Sequence, residues 1–376
     1  MPLMQLPQLL STPRTTATAP GALSSLFTHA ARFGPRGVLV HGASLAASGA
    51  LARLLGDCPG DMDCRAWQHP GGEPTLHQLT DLLCAAREHG ADWIAAVGGG
   101  SVLDIAKGCA GLYHQTGDVQ QYHDGETIIG DTLPFIAVPT TAGTGSEATP
   151  VSVLTNTETG VKKSFRSPTM TAQVVLLDAE LLTGCPAKVV ASSGLDAMTQ
   201  AIESYTSRYA TWFSQTLALR GLTLLAEHLP RAYDAATDGE IPLPHAEGIL
   251  LGSFLAGVGF ASSRLGVVHG LAHPLGARFH QPHGLTCGVC LPVAIELNRE
   301  TMGAQYMEMS DAIGADLWET VHALLAHFGI QNPFSGQTLA DRDAVIEEVL
   351  VSGSTKANPL PITREHVNWL LDRLLA

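Results

Sequence analysis

The sequence predicts an α/β N-terminal dinucleotide-binding domain, with a doubly wound and mostly parallel sheet, followed by an all-α C-terminal domain. Three observations predict it. Apolar strand-like runs alternate with helical periodicity through the first half. Strand signal nearly vanishes from about Pro186 onward. Two loops rich in glycine and hydroxyl residues each follow directly on an apolar run. The expected domains are residues 1–185 and 186–376, with a cleft between them near "TGCPAK".

The elements follow in order. "RGVLVHG" reads as a short strand ending at Gly42, and "SLAASGALARLLG" has helical spacing. "PTLHQLTDLLCAAREHG" is an amphipathic helix stopped by Gly90. "DWIAAVGGGS" is a buried strand running into glycines, and "VLDIAKGCAGLY" is the next helix. "LPFIAVPTTAGTGS" repeats strand then loop, and "AQVVLLD" is a further strand. Beyond Pro186, six segments from "SSGLDAMTQAIESYTSR" to "REHVNWLLDRLLA" show helical spacing.

Composition narrows the function classes. With 21 Lys and Arg against 35 Asp and Glu, the net charge of −14 lacks the basic footprint that nucleic acid or an anionic membrane requires. No apolar run reaches membrane-spanning length in this reading, and the N-terminus lacks the charged flank of a signal peptide. The expectation is a cytoplasmic enzyme. Seven scattered cysteines read as reduced, mostly buried thiols. Cys287 and Cys290 form a CxxC without a second pair, read as helix packing rather than as a redox or zinc pair.

Three constellations carry chemistry. In "VGGGSVLDIAKG", a strand feeds Gly98, Gly99, Gly100 and Ser101 and then a helix. Missing Cβ atoms let backbone N–H groups approach a pyrophosphate at a helix N-terminus. A tight turn without ligand is the plainer alternative, and neither standard nucleotide fingerprint is present. In "PTTAGTGSEATP", Thr140, Thr141, Thr144 and Ser146 are candidate donors to phosphate or ribose oxygens. Lys162 or Lys163 is a candidate for the same cleft, against the commoner solvated lysine. "HGLAHPLGARFHQPHG" holds His269, His273, His280 and His283 within fifteen residues, a density that favours metal binding. Asp196 in "GLDAMTQAIE" is a candidate carboxylate ligand, or a first-turn acid favouring the helix dipole.

At these motifs the chain resembles the iron-containing (group III) alcohol dehydrogenase family, whose fold is shared with dehydroquinate synthase. The resemblance runs from about Pro13 to the C-terminus in the family's order and spacing. It implies NAD or NADP, a divalent metal (Fe or Zn), a small alcohol or aldehyde substrate, and a homodimer or larger homo-oligomer. The implied reaction is metal-assisted hydride transfer between the nicotinamide and a carbonyl carbon, run mainly as aldehyde reduction. Carried over by position, Gly98 to Ser101 hold the pyrophosphate with Asp104 in the same turn of helix. Thr140, Thr141 and Thr144 line the cofactor, and Lys162 falls near the nicotinamide ribose. The four metal-ligand positions are Asp196, Gln200, His269 and His283. His273 falls at a histidine beside the metal that relays a proton, and Phe260 at an aromatic walling the substrate pocket.

Three departures from the family pattern stand out. Gln200 replaces a ligand histidine, which weakens iron retention and leaves one Asp and two His, the usual count for catalytic zinc. Gly42 stands where NAD-preferring members carry an Asp, which removes repulsion against a 2′-phosphate and favours NADP. Arg264 stands where relatives have a small residue, either as an outward helix charge or as a cation for an acidic aldehyde. The competing readings are a metal-independent, maleylacetate reductase-like enzyme, a dehydroquinate synthase-like lyase, and an inactive structural homologue.

Overall fold

The computed structural model describes residues 6–376, and the chain divides into two compact units. Residues 11–141 and 145–183 form the first. The helical unit holds residues 184–376 together with Ala142–Thr144 and the described residues up to Leu10. The first five residues, at the N-terminus read as lacking the charged flank of a signal peptide, lie outside the described residues.

The α/β unit contains strands β1 (Thr15–Thr18), β2 (Arg36–His41), β3 (Asp63–Gln68), β4 (Trp93–Gly98), β5 (Phe135–Pro139), β6 (Val151–Asn156), β7 (Val161–Arg166) and β8 (Val174–Leu177). Its helices are α1 (Leu26–Ala30), α2 (Ala43–Ala47), α3 (Ala50–Gly56), α4 (Leu76–His89), α5 (Gly100–Leu112) and α6 (Val119–Asp124). Six strands form one sheet in the order β1-β8-β5-β4-β2-β3, and every pairing is parallel. Strands β6 and β7 form a separate antiparallel hairpin. The central strands β4 and β5 are buried along their whole length, as a sheet covered on both faces requires. Trp93, Ala95 and Val97 of β4 alternate onto one face with Ile136 and Val138 of β5, and pack with Leu26, Phe27 and Leu54.

Register places the site. His41 pairs with Val97, Val97 with Val138, and Gly98 with Pro139. Strands β2, β4 and β5 therefore end at one level, and Gly42, Gly98–Ser101 and Thr140–Thr141 all leave the sheet along its carboxyl edge. The sequence order reverses direction between β2 and β4, the place where open α/β sheets bind ligands.

The helical unit contains α7 (Ala187–Thr206), α8 (Trp212–Asp238), α9 (Leu243–Ser263), α10 (Val267–Phe279), α11 (His283–Met302), α12 (Ala304–Ile313), α13 (Leu317–His327), α14 (Arg342–Val351) and α15 (Arg364–Leu375). No strand occurs there among the described residues. Helices α7, α8 and α9 pack on one another, with α11 along α7 and α10 against α11. Helix α9 corrects one expectation, since it is long and apolar enough to cross a membrane by length and composition. Two-thirds of that stretch is nevertheless buried within the protein, as in a core helix. Helix α10 continues through Pro274 to Phe279.

Candidate functional site

The donor cluster of the helical unit is built where α11 lies along α7. A Cβ at Gly284 would stand 2.2 Å from the Ser192 carbonyl oxygen, and one at Gly288 would stand 2.7 Å from Leu195 Cδ1. Neither position accepts a side chain, so the two backbones approach closely. That approach carries His283 and Cys287, one helical turn apart on α11, alongside Asp196 of α7.

Helix α10 supplies His269, and Glu203 of α7 fixes its ring. The Glu203 carboxylate accepts from Val268 N at 2.7 Å and from His269 Nδ1 at 2.6 Å. A carboxylate only accepts, so Nδ1 carries the proton and Nε2 faces the cluster. His269 Nε2 lies 3.4 Å from Asp196 Oδ1 and 3.9 Å from Cys287 Sγ. His283 Nε2 lies 3.8 Å from Asp196 Oδ1 and 3.6 Å from Cys287 Sγ. The four donor atoms of Asp196, His269, His283 and Cys287 all fall within 4.8 Å of one another.

The electrostatics favour a cation. Burial works against the Asp196 carboxylate, yet His283, His269 and the Cys287 thiol hold it below the usual carboxylate range. Burial also opposes protonation of His269, but Cys287, Glu203 and Asp196 hold it well above its ordinary value. Burial pushes the Cys287 thiol up to about 12. Asp196 Oδ1 and Gln200 Oε1 are buried without a well-formed hydrogen bond, the Asp196 oxygen having only the loose ion pairs to the two imidazoles. An unsatisfied buried acceptor costs about 1–3 kcal/mol, and an ion accepting the Asp196 lone pair would remove that penalty there. The residues present fit a divalent metal.

The remaining sequence-derived candidates fall at different places. His273 stacks on His283 with ring centroids 5.1 Å apart. Phe260 is half-buried in the last turn of α9. Arg264 is exposed just past α9 at a φ of 65°, with its guanidinium 4.9 Å from the centre of the Tyr209 ring. It is thus held against a surface aromatic.

In the α/β unit, Gly99 of the first glycine-rich loop packs on Thr141 at the start of the second. A Cβ at Gly98 would stand 2.5 Å from Val102 Cβ, and one at Gly99 3.2 Å from Thr141 Oγ1. These glycines let the strand turn directly into α5, whose N-terminal N–H groups then face outward from the sheet edge. The Asp104 carboxylate accepts from the Ser146 hydroxyl and, at 3.0 Å, from Val153 N. Its charge therefore ties the second loop to α5. Lys162 pairs with Glu73 at 2.8 Å on the β6–β7 hairpin. At Gly42 a Cβ would meet Val102 Cγ2 at 3.6 Å, an ordinary contact, so a side chain has room there.

Glu203 is not among the sequence-derived candidates, and Cys287, read from the sequence as helix packing, lies in the donor cluster. Signals for both were present: Glu203 lies two helical turns beyond Asp196, and Cys287 one turn beyond His283.

Comparison with known proteins identifies the family over both parts of the chain. The family model described as iron-containing alcohol dehydrogenase matches residues 13–179, and that of the C-terminal region of the same family matches residues 190–375. The protein named Probable alcohol dehydrogenase EutG of Escherichia coli is 32% identical, covering 97% of this chain and 94% of that one. The lactaldehyde reductase of Escherichia coli is 29% identical, covering 92% of this chain and 94% of its own. Among solved structures, the sulfoacetaldehyde reductase of Bifidobacterium kashiwanohense in complex with NAD+ superposes with a TM-score of 0.91 at 25% identity. That likeness covers 99% of this chain and 100% of the other. The chain belongs to the iron-containing alcohol dehydrogenase family and is an NAD(P)-dependent oxidoreductase interconverting alcohols and aldehydes with a divalent metal.

Proposed function

We propose that the enzyme works mainly as a cytoplasmic, NADPH-linked reductase of a short aldehyde, with its metal held by Asp196, His269 and His283. The observation that carries this reading is the buried donor set with an unmet Asp196 oxygen, its Nε2 atoms turned inward. A bound divalent metal supplies Lewis-acid polarisation of the carbonyl oxygen. The chain's own residues do the rest. Glu203 keeps the His269 proton on Nδ1, so Nε2 is free to bind. Gly98 to Ser101 and the start of α5 hold the cofactor pyrophosphate, with Thr140, Thr141 and Thr144 beside it. Asp104 holds the second loop in place for that contact. His273, stacked on His283, is assigned the proton that the product alkoxide needs. Phe260 is assigned to the wall of the substrate pocket, and Lys162 to the ribose end of the cofactor. The free cysteines suit a reducing compartment, and the resemblance favours a homodimer.

Turnover of a panel of short aldehydes with NADPH and NADH, on protein of measured metal content, tests this reading. The expected result is NADPH-dependent reduction that chelation abolishes and added metal restores. Reduction at the same rate by fully metal-free protein would overturn it. The cofactor preference rests on Gly42, where no carboxylate opposes a 2′-phosphate. Gly42→Asp should shift the NADPH-to-NADH ratio of kcat/KM toward NADH by about tenfold, on the order of 1.4 kcal/mol. An unchanged ratio would remove Gly42 as the determinant.

A further inference from the structure

The three ligands just named leave one place in a four-donor shell, and Gln200 stands in the sequence position expected to fill it. The donor cluster contains a second candidate, Cys287. We infer that Cys287 binds the metal as a thiolate, making an Asp-His-His-Cys centre that selects Zn²⁺ over Fe²⁺. This inference rests on the reading of Asp196, His269 and His283 as ligands.

The distances support it. A tetrahedron with bonds of about 2.1 Å to nitrogen or oxygen and about 2.3 Å to sulfur has edges of roughly 3.3–3.6 Å. The four edges seen are 3.4 Å and 3.8 Å from the Asp196 oxygen to the two imidazoles, and 3.6 Å and 3.9 Å from Cys287 Sγ to the same imidazoles. Two of these lie within that range and two exceed it by a few tenths of an ångström, and the remaining two edges are within 4.8 Å, a contraction that binding a cation would supply. The approach of α11 to α7 through Gly284 and Gly288 seats Cys287 and His283 together, so the thiol shares the ring's rigid support. Cys290, three residues further along α11, is not among the clustered donors. The CxxC therefore contributes one donor rather than a redox pair.

Donor chemistry separates the two candidates for the fourth place. A Gln amide oxygen is neutral and hard, whereas a thiolate is anionic and soft, and soft sulfur donors favour zinc. Binding is balanced by release of the thiol proton to solvent as the metal–sulfur bond forms. The unmet Gln200 Oε1 then faces no requirement to bind metal. It remains an acceptor for another group, which distinguishes it from the thiol in the following test.

Metal-stripped protein is titrated with Co²⁺, and visible ligand-field bands are read alongside near-ultraviolet thiolate-to-cobalt charge transfer. The expected result is both sets of bands in the native sequence. Charge transfer should be lost in Cys287→Ser, a near-isosteric change, and kept in Gln200→Ala and Cys290→Ala. Zinc X-ray absorption on the unaltered protein gives an answer independent of any variant, with a sulfur neighbour expected at about 2.3 Å. Zn²⁺ affinity should fall by about a hundredfold or more in Cys287→Ser, at or beyond the upper end of the 10–100-fold cost of losing an orienting partner. Ligand-field bands without charge transfer, or a zinc shell without sulfur, would overturn the inference and leave the three-ligand reading standing. Absence of any cobalt or zinc binding would overturn both.

Discussion

Two buried polar clusters, one in each unit, differ in a way that separates architecture from chemistry. In the α/β unit, Lys107 of α5 is fully buried. Its Nζ donates to the Ser146 and Val151 carbonyls at 2.5 Å and 2.7 Å, and to the Ser146 and Thr149 hydroxyls at 2.8 Å and 3.3 Å. Asp104 stands 3.7 Å away, with Glu147 nearby in the same segment. Burial pulls the Lys107 ammonium down to about 8, while Asp104 and Glu147 hold it up; burial pushes Glu147 up to about 7. None of these groups is left with an unmet buried polar atom. In the helical unit, the cluster around Asp196 does leave such atoms, on Asp196 and Gln200. A closed network fixes a loop, whereas an open one keeps capacity for a ligand.

The comparison breaks most sharply at Asp196. Asp196→Ala should lower aldehyde reduction by about a thousandfold or more, since it removes the carboxylate that offsets the metal's charge. Its metal-free stability should change less, because an unsatisfied buried acceptor goes while Glu203 still holds the His269 imidazolium that loses Asp196. Steady-state kinetics and thermal melts on the same preparation check both halves. Lys107→Met should do the reverse. It leaves the Asp104 and Glu147 carboxyls without their cation, at a cost of about 3–5 kcal/mol, with metal stoichiometry unchanged. Denaturant unfolding checks this, and a loss under about 1 kcal/mol would mean the closed network is not structural. The smallest effect is expected at Glu203→Gln, which keeps shape but weakens the grip on His269 Nδ1. Metal affinity should fall by about 10–100-fold, read by competition with a chelating dye.

Much of this was legible in the sequence, and the gaps have physical causes. The central strands announced themselves as apolar runs because both their faces are buried. Edge strands β1 and β3 did not: each pairs on one side only, and "TTAT" and "DCRAWQ" carry no continuous apolar run. The β6–β7 hairpin was missed because it is a small two-stranded ribbon with no continuous apolar run: burial alternates residue by residue along β6, and β7 is largely exposed or half-buried. The single helix expected over "SLAASGALARLLG" divides at Gly49, whose φ of 73° takes the chain out of the helical region. At the site, the histidine density of one segment marked His269 and His283 as metal candidates, and the family resemblance supplied them together with Asp196 as ligand positions. Neither could show that Cys287 lies beside them, because that depends on the register of α11 against α7, set by Gly284 and Gly288. Glu203 was hidden for the same reason, its partner being 66 residues away on another helix.

The central claim is that the open cluster of the helical unit is a metal centre. Thermal melting with and without a chelator, for the native sequence, Asp196→Ala and Lys107→Met, tests it most directly. A ligand that binds only the folded state at 100 times its Kd stabilises by about 2.7 kcal/mol. The account predicts that chelation lowers Tm in the native sequence and in Lys107→Met, while Asp196→Ala, melting at the chelated value, no longer responds. Equal melting temperatures with and without chelator in the native sequence, at one metal per chain before treatment and none after, would contradict it.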